Sequence, residues 1–305
     1  MFDLARLRAL HAVAVYGTVG AAAASLGYTP SAVSQQIAKL ERETRTVLLE
    51  RQGRGVVLTD AAHTLVEAAQ ELLSIVERTE VALEEQRGKA VGRLTIAAFA
   101  TAVRGLMPGV MADLTVSCPE LDLRLLDTDP YPAAEMVGRG EVDLAVVQDW
   151  PSTPLAVPPD VSREVFGHDP VDLLVPAGHR LAACDRVRPE ELRGERWVSV
   201  PPGNICHDWL TRLMRGVGEE PLIAVQASEF ESYPTLIANG LGIGLVPRLG
   251  RGPMPPGVVA KAVSTAPSRR VFALWRTRSS RRPAIRLALE ALRARWPSRE
   301  TAGGP

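Results

Sequence analysis

The stretch TPSAVSQQIAKLE, residues 29–41, combines a well-formed helix with an outer face unusual for a solvated one. Thr29 can cap the helix through its hydroxyl, and Pro30 suits the first helical position. Val33, Ile37 and Leu40 recur at i, i+4 and i+7 and so line one apolar face. The opposite face carries small hydroxyls, an amide and one cation: Ser31, Ser34, Gln35 and Lys39. Such side chains can approach base edges in a DNA major groove, so the stretch predicts a recognition helix.

The flanking residues complete a small DNA-binding domain. Residues 4–16 have helical spacing, and residues 17–27 form a short helix between Thr18 and Gly27. Two apolar runs around RQGRG within residues 46–60 predict a hairpin. Three helices and a hairpin make a winged helix-turn-helix, which we assign to residues 1–60. The hairpin cations reach phosphates or the minor groove in this interpretation: Arg51 and Arg54.

A long helix is predicted to follow, from Asp60 to about Gly88, within a linker segment of residues 61–90. Its apolar positions alternate spacings of three and four, as in a coiled-coil seam. The seam predicts pairing of two chains through Leu65, Ala69, Leu72, Val76 and Leu83. An ordinary core helix is the alternative.

Residues 91–305 show strands alternating with helices, first over residues 94–148 and again over 171–247. Among the predicted helices, one follows the strand 94–100 and runs to about Ser117, and another covers residues 230–239. Such alternation predicts parallel sheets covered by helices. We therefore expect a mixed α/β chain whose C-terminal part has two lobes. The predicted first lobe comprises about residues 91–163 and 266–297, and the second about 164–265.

Composition narrows the class of protein. Residues 1–60 carry seven Lys/Arg against five Asp/Glu, residues 265–300 ten against two, and the rest eighteen against twenty-eight. A mildly basic N-terminal segment followed by an acidic middle segment fits a protein that binds nucleic acid. The basic stretch 268–286 is expected to be a solvated face. No apolar run reaches the roughly 20 residues of a membrane span, and no signal peptide is evident, so a cytoplasmic location is expected. Three scattered cysteines imply no disulfide framework.

Residues 3–66 resemble the DNA-binding domain of the LysR-type transcriptional regulators, through GTVGAAAASLGYTPSAVSQQIAKLE and LLERQGRGVVLTDAA. GEVDLAVVQ, VDLLVPAGHRLA and IANGLGIGLVPR resemble the family's effector-binding domain, a two-lobed fold of the periplasmic-binding-protein type. The resemblance implies promoter DNA, a homo-oligomer (dimer or tetramer), a small-molecule effector and RNA polymerase as partners. It also implies base contacts from Pro30, Ser31, Ser34 and Gln35, with Arg54 at the wing tip. Gly20 departs from the Ser or Thr usual in the family, which removes one polar side chain near the DNA backbone.

The effector site is predicted where strands end between the lobes, since open α/β sheets bind ligands there. The residues that follow those strands are Thr101, Ala102, Gln148, Gly203, Asn204, Glu229 and Phe230. The family's inducers are often carboxylates held by Ser or Thr, which favours Thr101 as a contact. Glu229 favours a ligand that also carries a donor or a cation, such as an amino acid or another polar metabolite. The alternative is that Thr101 and Asn204 only cap helices.

No hydrolase or nucleotide-binding signature is present, and no catalytic residue, metal site or cofactor is predicted. A two-lobed binding protein or enzyme with an incidental helical head is the competing hypothesis. Sequence-specific DNA binding by residues 1–90 would separate the two.

Overall fold

A computed structural model describes residues 3–52, 55–87 and 89–296 of the chain. The chain divides into two compact units, residues 1–87 and residues 88–305. Each unit has its own apolar core.

The first unit is a winged helix-turn-helix followed by a long helix, as predicted. Asp3, Thr18 and Thr29 cap its first three helices through side-chain oxygens that accept backbone N–H groups. Side-chain hydrogen bonds of Glu41 and Thr59 then connect the hairpin to the helices before and after it. The elements are α1 (Leu4–Tyr16), α2 (Val19–Leu26), α3 (Pro30–Thr44), β1 (Leu49–Gln52), β2 (Gly55–Leu58) and α4 (Asp60–Arg87).

The long helix α4 has two halves with different surroundings. Ala62 and Ala69 are fully buried in a cluster with Leu7, Leu10 and Leu40 of the same chain. Leu65 packs against that cluster as well. The prediction that Ala69 pairs with a second chain is therefore wrong, because α1 of the same chain covers this half of α4. Part of the Leu65 side chain is likewise taken up by contacts within the chain. Further along α4 the apolar side chains are exposed: Leu72, Ile75, Val76 and Leu83.

The second unit contains ten strands and six helices within the described residues. They are β3 (Gly92–Ala98), α5 (Ala100–Gly105), α6 (Met107–Ser117), β4 (Leu121–Asp127), α7 (Pro130–Arg139), β5 (Leu144–Asp149), β6 (Val161–Pro176), β7 (Arg186–Val187), β8 (Arg196–Ser199), α8 (Ile205–Gly216), β9 (Leu222–Gln226), α9 (Tyr233–Ala238), β10 (Gly244–Pro247), β11 (Val258–Val263), β12 (Ser268–Arg276) and α10 (Pro283–Arg295). Short 3-10 helices lie at Arg180–Ala183, Pro189–Leu192, Phe230–Ser232 and Thr277–Ser279.

One long strand, β6, runs through both lobes. Residues 161–170 pair with β12 of the first lobe, and residues 171–176 pair with β10 and β11 of the second. The sheet order is β4-β3-β5-β12-β6-β11-β7, parallel at β4-β3-β5 and antiparallel at β12. The predicted boundary at residue 163 is therefore too early. The first crossing lies at Pro170, beside the second at Pro267 and Ser268.

Two helices predicted as continuous are interrupted. The helix expected from residue 101 to Ser117 breaks at Leu106, and α6 starts again with Pro108 in its first turn. The helix expected over 230–239 begins as a 3-10 turn, and α9 follows with Pro234 in its first turn. Proline has no N–H to donate to the preceding turn, which accounts for both breaks.

An apolar cluster joins the two lobes. It contains Val147 and Phe272 from the first lobe together with Leu173, Trp197 and Ile243 from the second. The lobes therefore share a core in addition to the two crossing strands.

The expectation that the basic stretch 268–286 is a solvated face is wrong for residues 268–276, although Arg281 and Arg286 are exposed. Arg269 is 1% exposed and Arg276 is 7% exposed. The Arg276 guanidinium donates to the carbonyl oxygens of Val137 and Val142 at 3.1 and 2.9 Å. Residues 268–276 of the stretch form β12, a central strand, so the inward cations of β12 are held by carboxylates and carbonyls of the core.

Within the described residues, no helix combines the length and the apolar character that a membrane crossing requires.

Candidate DNA-binding and effector sites

The outer face of α3 is exposed and unpaired. Val33, Ile37 and Leu40 are buried on the inner face. The residues predicted to contact DNA are exposed on the outer face, and they are Thr29, Pro30, Ser31, Ser34, Gln35 and Lys39. The side chains of Ser31, Ser34 and Gln35 make no hydrogen bond to any other described residue, so their polar atoms are free for an external partner.

Glu41 fixes the hairpin relative to α3. Its carboxylate accepts the backbone N–H groups of Leu48 and Leu49 at 2.8 and 3.2 Å. The Thr59 hydroxyl donates to the Val47 carbonyl at 2.9 Å and closes the base of the hairpin. The bonds to Glu41 connect the hairpin to α3. The side chain of Arg51 and all of Arg54 lie outside the described residues.

A buried ion pair holds the two crossing strands together in the second unit. Arg269 of β12 contacts Asp169 of β6 with a 2.7 Å separation of Nη2 and Oδ2. The other Asp169 oxygen accepts the Leu249 N–H at 2.9 Å. Arg269 also donates to the Thr101 hydroxyl and lies 4.8 Å from the centre of the Phe99 ring. The positive charge of Arg269 is therefore neutralised within the protein.

Thr101 and Ala102, predicted to face the effector, are both buried. Thr101 is 2% exposed, and its hydroxyl already accepts a hydrogen bond from Arg269. Ala102 is fully enclosed in the core of the first lobe, so a ligand cannot contact its side chain in this arrangement. Nearby, Gly105 lies so close to Gly250 of the second lobe that a Cβ on Gly105 would stand 2.5 Å from the Gly250 nitrogen.

Direct bonds connect the lobes across the predicted cleft. Asn204 donates to Asp129 at 2.7 Å, and Tyr131 donates to Asp208 at 2.8 Å. Burial, reinforced by that bond, raises the pKa of Tyr131 to about 12. The rings of Trp150 and Trp209 stack with centroids 3.7 Å apart. The lobes therefore meet through aromatic and polar contacts.

A narrow cavity, here called the aromatic recess, lies beside the Trp150–Trp209 stack. Its enclosed volume is about 20 Å³, within about 330 Å³ of empty space that includes its open mouth. Among its lining residues are Trp150, Ser199, Cys206, Trp209, Phe230 and Tyr233. Gln148 donates to the Cys206 sulfur at 3.3 Å. Burial raises the pKa of the enclosed Cys206 thiol, although the residue as a whole is partly exposed.

Three carboxylates, here called the acidic mouth, come from both lobes, and the charges of Asp129 (first lobe) and Glu229 (second lobe) act on Asp127 of the first lobe. Partial burial and the negative charges of Asp129 and Glu229 raise the pKa of Asp127. Arg104 opposes that shift, and it is itself paired with Glu231 at 2.9 Å. The mouth therefore carries an excess of negative charge.

Both units match models of a single protein family. Residues 4–63 match a bacterial regulatory helix-turn-helix protein of the lysR family, and residues 87–297 match the LysR substrate binding domain. The chain belongs to the LysR family of transcriptional regulators.

Relatives and solved structures agree with this LysR assignment. The HTH-type transcriptional regulator XapR of Escherichia coli is 30% identical over 246 residues, which cover 80% of this chain and 82% of XapR. A full-length OxyR variant from Pseudomonas aeruginosa superposes with a TM-score of 0.70 at 21% identity, covering 100% of this chain and 99% of that one. Full-length CbnR, complexed with its target DNA, gives a TM-score of 0.56 at 21% identity, with 97% and 100% covered. The chain is therefore a LysR-type regulator and not an enzyme.

The structure of this LysR-type regulator brings together only some of the predicted effector residues. Phe230 lines the recess, and Gln148 bonds Cys206 of its lining. Asn204 and Glu229 lie at the mouth, and Gly203 is exposed just before α8. Asn204 caps α8 through its Oδ1 atom and also bonds Asp129. Asp127 is the last residue of β4 and Asp129 lies just after it, so the strand-end rule would have found both, but neither was predicted. The sequence gave no comparable indication that four further residues lie between the lobes, because isolated aromatic residues and a cation within a basic stretch have many structural explanations. These residues are Trp150, Trp209, Tyr233 and Arg269.

Proposed function

We propose that this LysR-type regulator reads promoter DNA through the outer face of α3. Pro30, Ser31, Ser34 and Gln35 meet base edges, whereas Thr29, Lys39, Arg51 and Arg54 contact the DNA backbone or the minor groove. The observation that carries the proposal is the exposed polar face of α3, where the side chains of Ser31, Ser34 and Gln35 make no hydrogen bond to other described residues. The DNA complex of CbnR, which shares the fold, supports it.

Two chains pair through the exposed apolar part of α4 in this proposal, and two such pairs form a tetramer. Leu72, Val76 and Leu83 lie outside the chain's own core, and burying them would supply the driving force. A paired regulator places two heads on two half-sites of one DNA face. Residues 1–60 serve as the DNA-binding domain, 61–90 as the linker and 91–305 as the effector-binding domain.

A small molecule held between the lobes controls the regulator. It must bind one arrangement of the oligomer better than another, because equal affinity for both would shift nothing. Asn204, Glu229, Phe230 and Gln148 are the proposed contacts, and an amino acid or another polar metabolite is the proposed class. The protein acts in the cytoplasm, where RNA polymerase at the regulated promoter is the further partner.

The test is DNA binding by the full chain. Fluorescence anisotropy would compare the region upstream of its own gene with a scrambled duplex of equal length at one fixed salt concentration. We expect a preference of at least 1,000-fold for the upstream region, as is usual for specific regulators. Equal affinity for the two duplexes would contradict the proposal.

A further inference from the structure

The aromatic recess contains a buried hydroxyl that has no hydrogen-bond partner among the described residues, that of Tyr233. Tyr233 is 1% exposed, and its ring packs 5.0 Å from the Phe230 ring, centroid to centroid. Burial, together with the nearby Cys206 sulfur, raises the pKa of Tyr233 above its ordinary value, so the hydroxyl stays protonated and can donate. Buried polar groups in native proteins nearly always have a partner. The Tyr233 hydroxyl therefore marks a position where an acceptor from outside the chain can bind.

Two other polar groups of the lining are bonded within the protein. The Ser199 hydroxyl donates to a neighbouring carbonyl oxygen at 3.2 Å. The Cys206 sulfur accepts hydrogen bonds from Gln148, at 3.3 Å, and from Trp150. Ser199 and Cys206 are thus satisfied, whereas the Tyr233 hydroxyl is a donor that remains available.

The described lining of the recess carries no formal charge. Apart from Ser199, Cys206 and the hydroxyl of Tyr233, its residues are aliphatic, aromatic or proline. Burial raises the pKa of the Cys206 thiol, so this group stays neutral, and the charge of the nearby Arg269 is balanced by Asp169. A charged group placed here would lose its hydration without gaining an opposite charge. The recess therefore favours an uncharged group.

We propose that the recess holds an uncharged end of the effector, whose carbonyl oxygen accepts a hydrogen bond from the Tyr233 hydroxyl. The enclosed volume of about 20 Å³ admits about one water-sized group, which suits a single oxygen atom. The apolar body that carries this oxygen lies in the open part of the 330 Å³ space, against Phe230, a partly exposed wall of the recess. The inference rests on the proposed control by a small molecule and adds the chemical class of the end that the recess binds.

The experiment is ligand-observed NMR titration of the full chain with three probes of nearly the same shape: acetophenone, α-methylstyrene and benzoate. Acetophenone carries the acceptor, α-methylstyrene replaces its oxygen by a methylene group, and benzoate adds a negative charge. We expect benzoate to bind roughly tenfold or more weakly than acetophenone, because the lining offers it no cation.

Tyr233→Phe tests the hydrogen bond. It should weaken acetophenone binding roughly five- to tenfold and change α-methylstyrene binding less than about twofold, since only the ketone loses a donor. It should not lower the melting temperature, because the hydroxyl has no partner among the described residues. Tyr28→Phe, which alters an exposed tyrosine of the first unit, should change neither affinity.

Phe230→Ala tests the position of the probes. It removes apolar surface that acetophenone and α-methylstyrene both cover, so it should weaken both to a similar extent. Unchanged affinities in this variant would place the probes elsewhere and overturn the proposed site.

Three other results would also overturn the inference. Unchanged acetophenone affinity in Tyr233→Phe would leave a buried water as the partner of the hydroxyl. Equal losses for acetophenone and α-methylstyrene would show that the oxygen forms no bond to Tyr233. Tighter binding of benzoate than of acetophenone, or no binding of acetophenone at millimolar concentration, would contradict the uncharged carbonyl class. The upstream DNA then distinguishes the causes, because retained sequence preference leaves the proposed regulator intact and its absence removes both.

Discussion

At the scale of single residues, Thr101 shows how a candidate ligand contact can serve the framework. Its hydroxyl accepts a hydrogen bond from Arg269, whose charge is balanced by Asp169 of the other crossing strand. A sequence shows that a hydroxyl follows a strand, but it does not show a cation 168 residues later in the chain bonded to that hydroxyl. Arg269 was predicted to lie on a solvated face, because the sequence does not show which of several neighbouring arginine residues is buried.

We expect Thr101→Val to lower the free energy of unfolding by about 1–3 kcal/mol, because a buried guanidinium N–H loses its acceptor. Thr101→Ser keeps the hydroxyl and should recover most of that loss. Urea unfolding of the full chain measures both variants. Equal stability of the Val variant and the wild type would contradict the assigned hydrogen bond.

We expect the ionisation of Asp172 to make the free energy of unfolding depend on pH. Burial alone would raise its pKa, but hydrogen bonds from Arg248 and Arg251 outweigh burial and lower the pKa below its ordinary 3.8. The stabilisation is therefore complete above pH 3.8 and is lost as the pH falls through the lowered value.

Asp172→Asn should lower the free energy of unfolding at neutral pH by about 1.5–3 kcal/mol, the range for hydrogen bonds to charged groups. It should also flatten the decline of stability in acid. Thermal unfolding across the acidic range would show this, with exposed Asp185→Asn as the matched control. An unchanged acid profile in Asp172→Asn would show that this carboxylate does not carry the effect.

At the scale of elements, α4 divides into a half that completes its own head and a half with exposed apolar side chains. The sequence predicted the length of the helix, because no residue between Asp60 and Arg87 breaks it. It did not show where the seam starts, since the three-and-four spacing is the same for an intrachain core and for a partner helix. Pro108 and Pro234 were visible in the sequence, and greater weight on them would have predicted the helix breaks at Leu106 and Tyr233.

Leu72→Glu should reduce oligomer size and DNA affinity together, because it places a charge in the proposed pairing surface. Gln70→Glu is the control, since position 70 points about 200° away from position 72 around the helix. Light scattering and DNA binding of the full chain measure both effects. A Leu72→Glu protein with wild-type oligomer size would rule out pairing through this part of α4.

At the scale of the whole molecule, the two lobes of the second unit share an apolar core and an aromatic stack. Alternation of strands and helices predicted two lobes but could not reveal this shared core, which depends on residues far apart in the chain. We therefore expect the two lobes to unfold together in one cooperative transition rather than one after the other.

Trp209→Ala removes one ring of the stack and should cost about 3–5 kcal/mol, as for other buried large aromatic residues. Scanning calorimetry of the full chain should show one effector-domain transition moved to lower temperature, and Trp209→Phe should move it less. Two separate lobe transitions in the wild type would contradict the shared core.

The central claim is that the outer face of α3 reads DNA sequence, and the double variant Ser31→Ala, Gln35→Ala tests it most directly. Anisotropy titrations of the full chain would compare wild type, the double variant and the exposed control Gln70→Ala on upstream and scrambled duplexes. Each good base contact supplies about 1–3 kcal/mol of discrimination, so the double variant should lose at least tenfold of its preference while its affinity for scrambled DNA stays near wild type. Full sequence preference in the double variant would contradict the assignment of α3 as the recognition helix.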